Sequence, residues 1–189
     1  MNIELKKQRV RLSKTARARL PRPEKITTDA IVRVAQPDDE AGVMELARMI
    51  HYEIGMFELD EEKALATIRP LLHKHLGIIG VIGKKDHLEA MILLRVANNW
   101  YSNTPFLEEM SVFVRPEYRN ATVSRVQKMI DFAKKTANGL GLPLMIGVLS
   151  NQRTNAKVEL YKKHFGDPAG AFFIYGARTG QPDEAAALA

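Results

Sequence analysis

Val114-Arg115-Pro116-Glu117-Tyr118-Arg119, followed by Asn120-Ala121-Thr122-Val123-Ser124-Arg125, is the stretch on which the fold turns. Residues 107–114 before it read as a strand, and Pro116, which has no N–H to give a ladder, marks its end. After it, Val126, Ile130, Ala133 and Ala137 recur at the spacing of one helical face. The spacing predicts a helix over 122–138 with Gly139 as its C-cap. The chain is thus expected to leave a sheet at Val114 and begin a helix whose first, unpaired amides face a crevice.

Upstream, Ile31-Val32-Arg33-Val34 reads as a short strand. Asp38 or Asp39 can N-cap a helix carrying Val43, Leu46, Ala47 and Ile50 on its inner face. Asp60 can cap a second helix, with Glu61 and Glu62 favoured by the helix dipole and Leu65, Ile68 and Leu72 facing inward. Pro70 is expected to kink or split it. Residues 77–82 and 88–96 read as a hairpin across Lys84-Lys85-Asp86-His87, and 97–106 as a loop. Downstream come a strand over 144–149, a helix over 154–163 that stops before Gly166-Asp167-Pro168, and a last strand over 171–175. The order β-α-α-β-β-β-α-β-α-β is that of an α/β domain, with a mixed, largely antiparallel sheet and helices on both faces.

The charge is unevenly placed. Net charge is +6 over 189 residues, yet residues 1–30 hold nine Lys/Arg against three acids, so the remainder is neutral. Residues 1–28 are read as a basic arm, 29–177 as the domain and 178–189, with Gly180-Gln181-Pro182 and an Ala-rich end, as a tail. Such an arm suits nucleic acid or an acidic protein surface; a solvated tail is the other reading. It has no aromatic residue, so base stacking is not its mechanism. The absence of cysteine excludes a disulfide framework, a Cys-ligated zinc and a thiol nucleophile, and fits a reducing, cytoplasmic setting. No apolar run approaches the ~18 residues of a membrane span, so no membrane partner is expected. The N-terminus has no apolar segment of a secretory signal, and Glu4 and Glu24 count against a transit peptide.

The element order, with Val114-Arg115-Pro116-Glu117-Tyr118-Arg119 ending the fourth strand, resembles the GNAT acyltransferase superfamily over residues 30–176. The family's first motif runs V-x-P-x-Y-R and then x-x-G-x-G/A; its first half is present. A second stretch, Asn151 to Phe165 with Leu160-Tyr161-Lys162-Lys163, resembles the family signature N-x-x-A-x-x-L-Y-x-K-x-G-F, with Thr154 in place of the Asn and Phe165-Gly166 inverted. The divergent form is most similar to GNAT-type proteins of tailed bacteriophages.

The resemblance implies an N-acetyltransferase taking acetyl-CoA, with backbone near Val112 and Val114 along the cofactor and Arg119, Thr122, Val123, Ser124 and Arg125 around its pyrophosphate. The two glycine positions of the motif fall on Thr122 and Ser124. A Cβ therefore stands where the backbone is usually bare, which implies weakened CoA binding; both residues also suit a plain helix cap. Glu108 is the expected base. Period-two alternation groups it with Met110, Val112 and Val114, and puts Glu109 on the opposite face. Tyr161 is the expected acid for the departing thiolate, or else a core ring one turn from Val158. The acceptor would be a small-molecule or protein amine. The missing glycines and the arm support another reading, a catalytically silent scaffold docking through residues 1–28 into a larger assembly such as a phage virion.

Other signals carry less. Gly77, Gly80 and Gly83 lack the spacing of a nucleotide loop. His73 and His75 lie two apart on a helix and make a poor metal pair, and no metal site is expected. Trp100-Tyr101 can line an acceptor pocket or anchor their loop.

Overall fold

The computed structural model describes residues 29–150 and 154–175; the basic arm, residues 151–153 and the tail from 176 lie outside them. In order come β1 (Arg33–Val34), α1 (Glu40–Ile54), α2 (Glu61–Leu72), β2 (Gly77–Lys84), β3 (His87–Asn98), β4 (Pro105–Val114), α3 (Arg125–Leu140), β5 (Leu144–Met145) and α4 (Thr154–Phe165). Short 3-10 turns lie at Pro37–Asp39 and Pro116–Tyr118. The strands run β1-β2-β3-β4-β5 across the sheet. All neighbours are antiparallel except β4 and β5, whose parallel pairing requires the crossover through α3.

Helices cover both faces. Ile79, Val81, Met91 and Leu93 pack against Val43, Leu46, Ile68 and Leu72 of α1 and α2. Ile82, Ala90, Ile92 and Leu94 pack against Met129, Ala133 and Ala137 of α3. With both faces covered, the central strands are apolar in nearly every residue, which is why β3 shows no alternation over 90–94.

Two bulges break the ladder. Between β2 and β3, Ile82 faces Ala90 and Gly83 faces Leu88, so Glu89 is an extra residue in β3. Gly83 takes a φ of 105° there, and a Cβ would lie 2.6 Å from the His87 carbonyl oxygen. Between β3 and β4, Leu93 faces Ser111 and Leu94 faces Glu109, which leaves Met110 extra. The expected alternation along β4 therefore fails at Met110. Leu107, Val112 and Val114 lie with the α3 cluster, while Met110 and Phe113 lie with α1 and α2.

Several boundaries also move. Asp60 caps α2 as expected, accepting from Lys63 N at 3.0 Å. Asp39 precedes α1 but does not cap it: its buried carboxylate accepts from Arg33 Nη1 at 2.7 Å, Arg33 Nη2 at 2.8 Å and Gln36 N at 2.8 Å. Pro70 does not split α2, because it falls in the last turn. The chain leaves that helix through Lys74 and Leu76, at left-handed φ of 59° and 56°. Helix α3 begins later and ends later than its spacing implied, closing on Gly141 (φ 66°) instead of Gly139. The strand expected over 144–149 pairs only at Leu144 and Met145. The last expected strand, 171–175, is irregular, with Phe173 95% exposed.

Gly77 and Gly80 are packing glycines. An added Cβ at Gly77 would lie 2.2 Å from the Leu94 carbonyl oxygen, and one at Gly80 would lie 2.6 Å from the Phe132 ring. Gly77→Ala is expected to lower the unfolding free energy by about 1–3 kcal/mol, since a backbone carbonyl yields little. Gly139→Ala, with nothing within 4 Å of the added carbon, is expected to raise it by about 0.5–1 kcal/mol. Urea denaturation of the two variants measures both.

Candidate active site

The site lies where β4 and β5 part. Their ladder holds at Leu107–Leu144 and Glu108–Met145 and goes no further. Residues 146–150 then run without ladder partners, so among the described residues β4 from Met110 to Val114 has no ladder neighbour on that side. Glu109 stands at the fork and accepts a long hydrogen bond from Gly147 N at 3.5 Å. Burial pushes its carboxyl up to about 7, eased by the Gly147 amide and added to by the neighbouring Glu108 charge. Tyr161 of α4 lies close enough to feel it: burial and the Glu109 charge both push the Tyr161 hydroxyl upward, so it stays protonated. Helix α4 is held over the fork from α3, where Lys134 Nζ donates to the His164 carbonyl at 2.6 Å and sits 4.7 Å from the Phe165 ring centre. The Phe165 ring meets Tyr161 edge-on at 5.9 Å.

Glu108 is placed elsewhere. It pairs across the sheet with Arg95, whose Nε donates at 3.2 Å. Of the two adjacent glutamates, Glu109 is the one at the fork, and its charge is the one felt at Tyr161. The bulge at Met110 makes that choice, and no residue type in 107–114 announces a bulge.

The expected cofactor residues divide into backbone and side-chain groups. Val112 and Val114 lie on the unpaired length of β4, part-buried against α3. The Val114 carbonyl accepts from Arg119 Nε at 2.9 Å. The Arg119 guanidinium reaches Glu53 of α1 and lies 5.2 Å from the Phe113 ring centre, toward the α1 side. Thr122 is exposed, and Val123 packs with the α3 cluster. Ser124 is the N-cap of α3, its Oγ accepting from Gln127 N at 3.3 Å. Arg125 is wholly buried and paired with Glu89. Both arginines are thus already neutralised by carboxylates, and an anion arriving here would meet the Thr122 hydroxyl and the first amides of α3.

A hollow of about 420 Å³ opens at the start of α2, between Glu58, Asp60, Lys63 and Leu93. Tyr101 lines another, of about 300 Å³, with Phe106 and Met145, while Trp100 beside it is 95% exposed. Among the described residues no three His, Asp or Glu side chains are grouped to hold a metal ion, and no helix is long and apolar enough to cross a membrane.

This is the fold of the GNAT acetyltransferases. A possible acetyltransferase from Clostridium difficile 630 superposes with a TM-score of 0.59 at 20% identity, over 78% of this chain and 97% of that one. AAC(6')-Iy in complex with the bisubstrate analogue CoA-S-monomethyl-acetylneamine gives 0.61 at 10% identity, over 80% and 99%. The aminoglycoside acetyltransferase meta-AAC0020, from an uncultured soil metagenomic sample, gives 0.55 at 13% identity, over 77% and 91%. Neither a protein-family model nor a curated protein matches the chain.

A carboxyl group whose folded pKa is raised favours the fold while it is protonated. That contribution is complete below the unfolded value near ~4.3 and is lost as pH rises through about 7. Glu109→Gln carries no charge and escapes the loss. The variant is expected to be as stable as the parent at pH 4 and more stable at pH 8, measured by denaturant titration at the two values.

Proposed function

We propose that the chain is an N-acetyltransferase of the GNAT superfamily, moving an acetyl group from acetyl-CoA to an amine by direct attack. The observation that carries this reading is the fork itself, where β5 parts from β4 beyond Glu108–Met145 and Glu109, accepting from Gly147 N, stands at the opening. The chain's residues also fit the cofactor. The unpaired edge of β4 around Val112 offers backbone groups to a pantetheine arm. The first amides of α3 at Arg125 and Val126 suit a pyrophosphate. The Thr122 and Ser124 side chains do not close that turn, since Ser124 caps at an ordinary φ of −69° and Thr122 is exposed.

Bound acetyl-CoA supplies the thioester carbonyl that an amine attacks. Glu109, poised at about 7, takes the proton that the amine must lose. Tyr161, held protonated, has a proton to give to the departing thiolate. The acceptor is an amine on a small molecule or a protein.

The test is binding first, then rate. CoA at a hundred times its Kd is expected to stabilise the protein by about 2.7 kcal/mol. Glu109→Gln is expected to lower kcat/KM by about 10²–10⁴-fold, and the parent profile should rise through pH 7 as Glu109 ionises. No thermal shift at millimolar CoA would remove this reading. The neutralised Arg119 and Arg125 would then favour the scaffold reading, with residues 1–28 docking into a larger assembly or nucleic acid, and deletion of those residues should abolish association.

A further inference from the structure

The turn that enters α3 is fastened from beneath at both ends to one residue. Glu89, the extra residue of the β3 bulge, accepts from Arg115 N through its carbonyl at 2.9 Å. Its Oε2 accepts from Arg125 Nε at 2.9 Å and Nη2 at 2.8 Å. Arg125 Nη1 donates to the Val123 carbonyl at 2.8 Å, and the guanidinium carbon lies 5.2 Å from the Tyr118 ring centre. Stability alone does not ask for such a pair, since apolar residues of similar volume serve a core as well or better. The bond to Val123 does something an apolar residue cannot. A trans peptide sets its C=O and the next N–H on opposite sides, and no peptide among the described residues is cis. With the Val123 carbonyl drawn to a buried guanidinium, the Ser124 N–H is turned away from the core.

We infer that Glu89 and Arg125 are positioning residues that orient the Val123–Ser124 peptide toward the pyrophosphate of CoA. They fix by side-chain anchoring a turn that, in the family motif this chain resembles, is shaped by glycine. The inference rests on the acetyltransferase reading and explains how the site works with Thr122 and Ser124 in the glycine positions. Neither residue touches the reacting atoms.

The experiment compares two probes that share the S-acetylpantetheine arm, each titrated by NMR: acetyl-CoA, which carries the 3′-phosphoadenosine diphosphate half with its pyrophosphate, and S-acetylpantetheine, which lacks that half. Arg125→Lys, which keeps the charge and loses the fork, is expected to weaken acetyl-CoA by about 10- to 100-fold and to leave S-acetylpantetheine unchanged. The residual dipolar coupling of the Ser124 N–H, which reports its orientation, is expected to change in the same variant. A second variant, Glu89→Leu with Arg125→Met, removes both charges at similar volume and guards against simple misfolding; its acetyl-CoA affinity is expected to stay low while its melting temperature recovers. Equal loss for both probes, no loss for either, or recovery of acetyl-CoA affinity in the double variant overturns the inference. If the parent binds neither probe, the acetyltransferase reading falls on its own. The orientation of Ser124 is then judged by that coupling alone, and an unchanged value in Arg125→Lys overturns it.

Discussion

A single extra residue in β4 organises the site. In an unbroken ladder Glu109 would share its face with Ser111 and Phe113, whose ring packs against α1 and α2. Because Met110 is left unpaired between the Leu94–Glu109 and Leu93–Ser111 pairs, the strand rotates locally. The face that carries Leu107 before the bulge carries Val112 and Val114 after it. Glu109 therefore sits on the α3 side, where β5 has just left the sheet and α4 crosses above. Burial there favours the neutral carboxylic acid, and that cost to the charged form brings the group to about 7. The bulge, the fork and the raised pKa are thus one arrangement, and its tuning comes from desolvation more than from a partner charge.

The electrostatics of the rest of the domain point the other way, toward neutralisation. Arg33 is held by Asp39, Arg95 by Glu108, Arg119 by Glu53 and Arg125 by Glu89. The exposed members of this set contribute little to stability, since water screens them and the side chains must be ordered. Their effect is geometric. Arg119 ties the turn after β4 to α1, and Arg125 ties the start of α3 to β3, so the segment between them is set by two helices and a bulge. This leaves the Thr122 hydroxyl and the first amides of α3 as the donors nearest an anion there, a solution that depends on peptide orientation more than on side-chain charge.

Much of this was legible in the residues. The helical face of α3, the Asp60 cap, the hairpin of β2 and β3 and the exit from the sheet at Val114 follow from periodicity and from proline. Tyr161 was named from its surrounding motif, and it falls on α4, where burial dominates its setting. What was not legible is whatever depends on counting across strands. A bulge is a property of two strands in register, so alternation read along 107–114 alone assigned the wrong glutamate to the α3 face. The same limit applies to β5. Residues 146–149 are as apolar as 144 and 145, and only the divergence from β4 decides that the ladder stops.

The two bulges also belong together. Each inserts its residue into one of two adjacent strands, and each turns a glutamate toward the α3 face: Glu89 beneath the α3 N-terminus, Glu109 at the fork. Their environments then separate them. Glu89 forms an ion pair with a fully buried arginine, whereas the bond shown for Glu109 comes from a backbone amide, Gly147 N at 3.5 Å, and burial dominates its setting. Two glutamates on one face of one sheet thereby meet different surroundings, a guanidinium beside one and burial at the other, and it is the second that the proposed proton transfer would use.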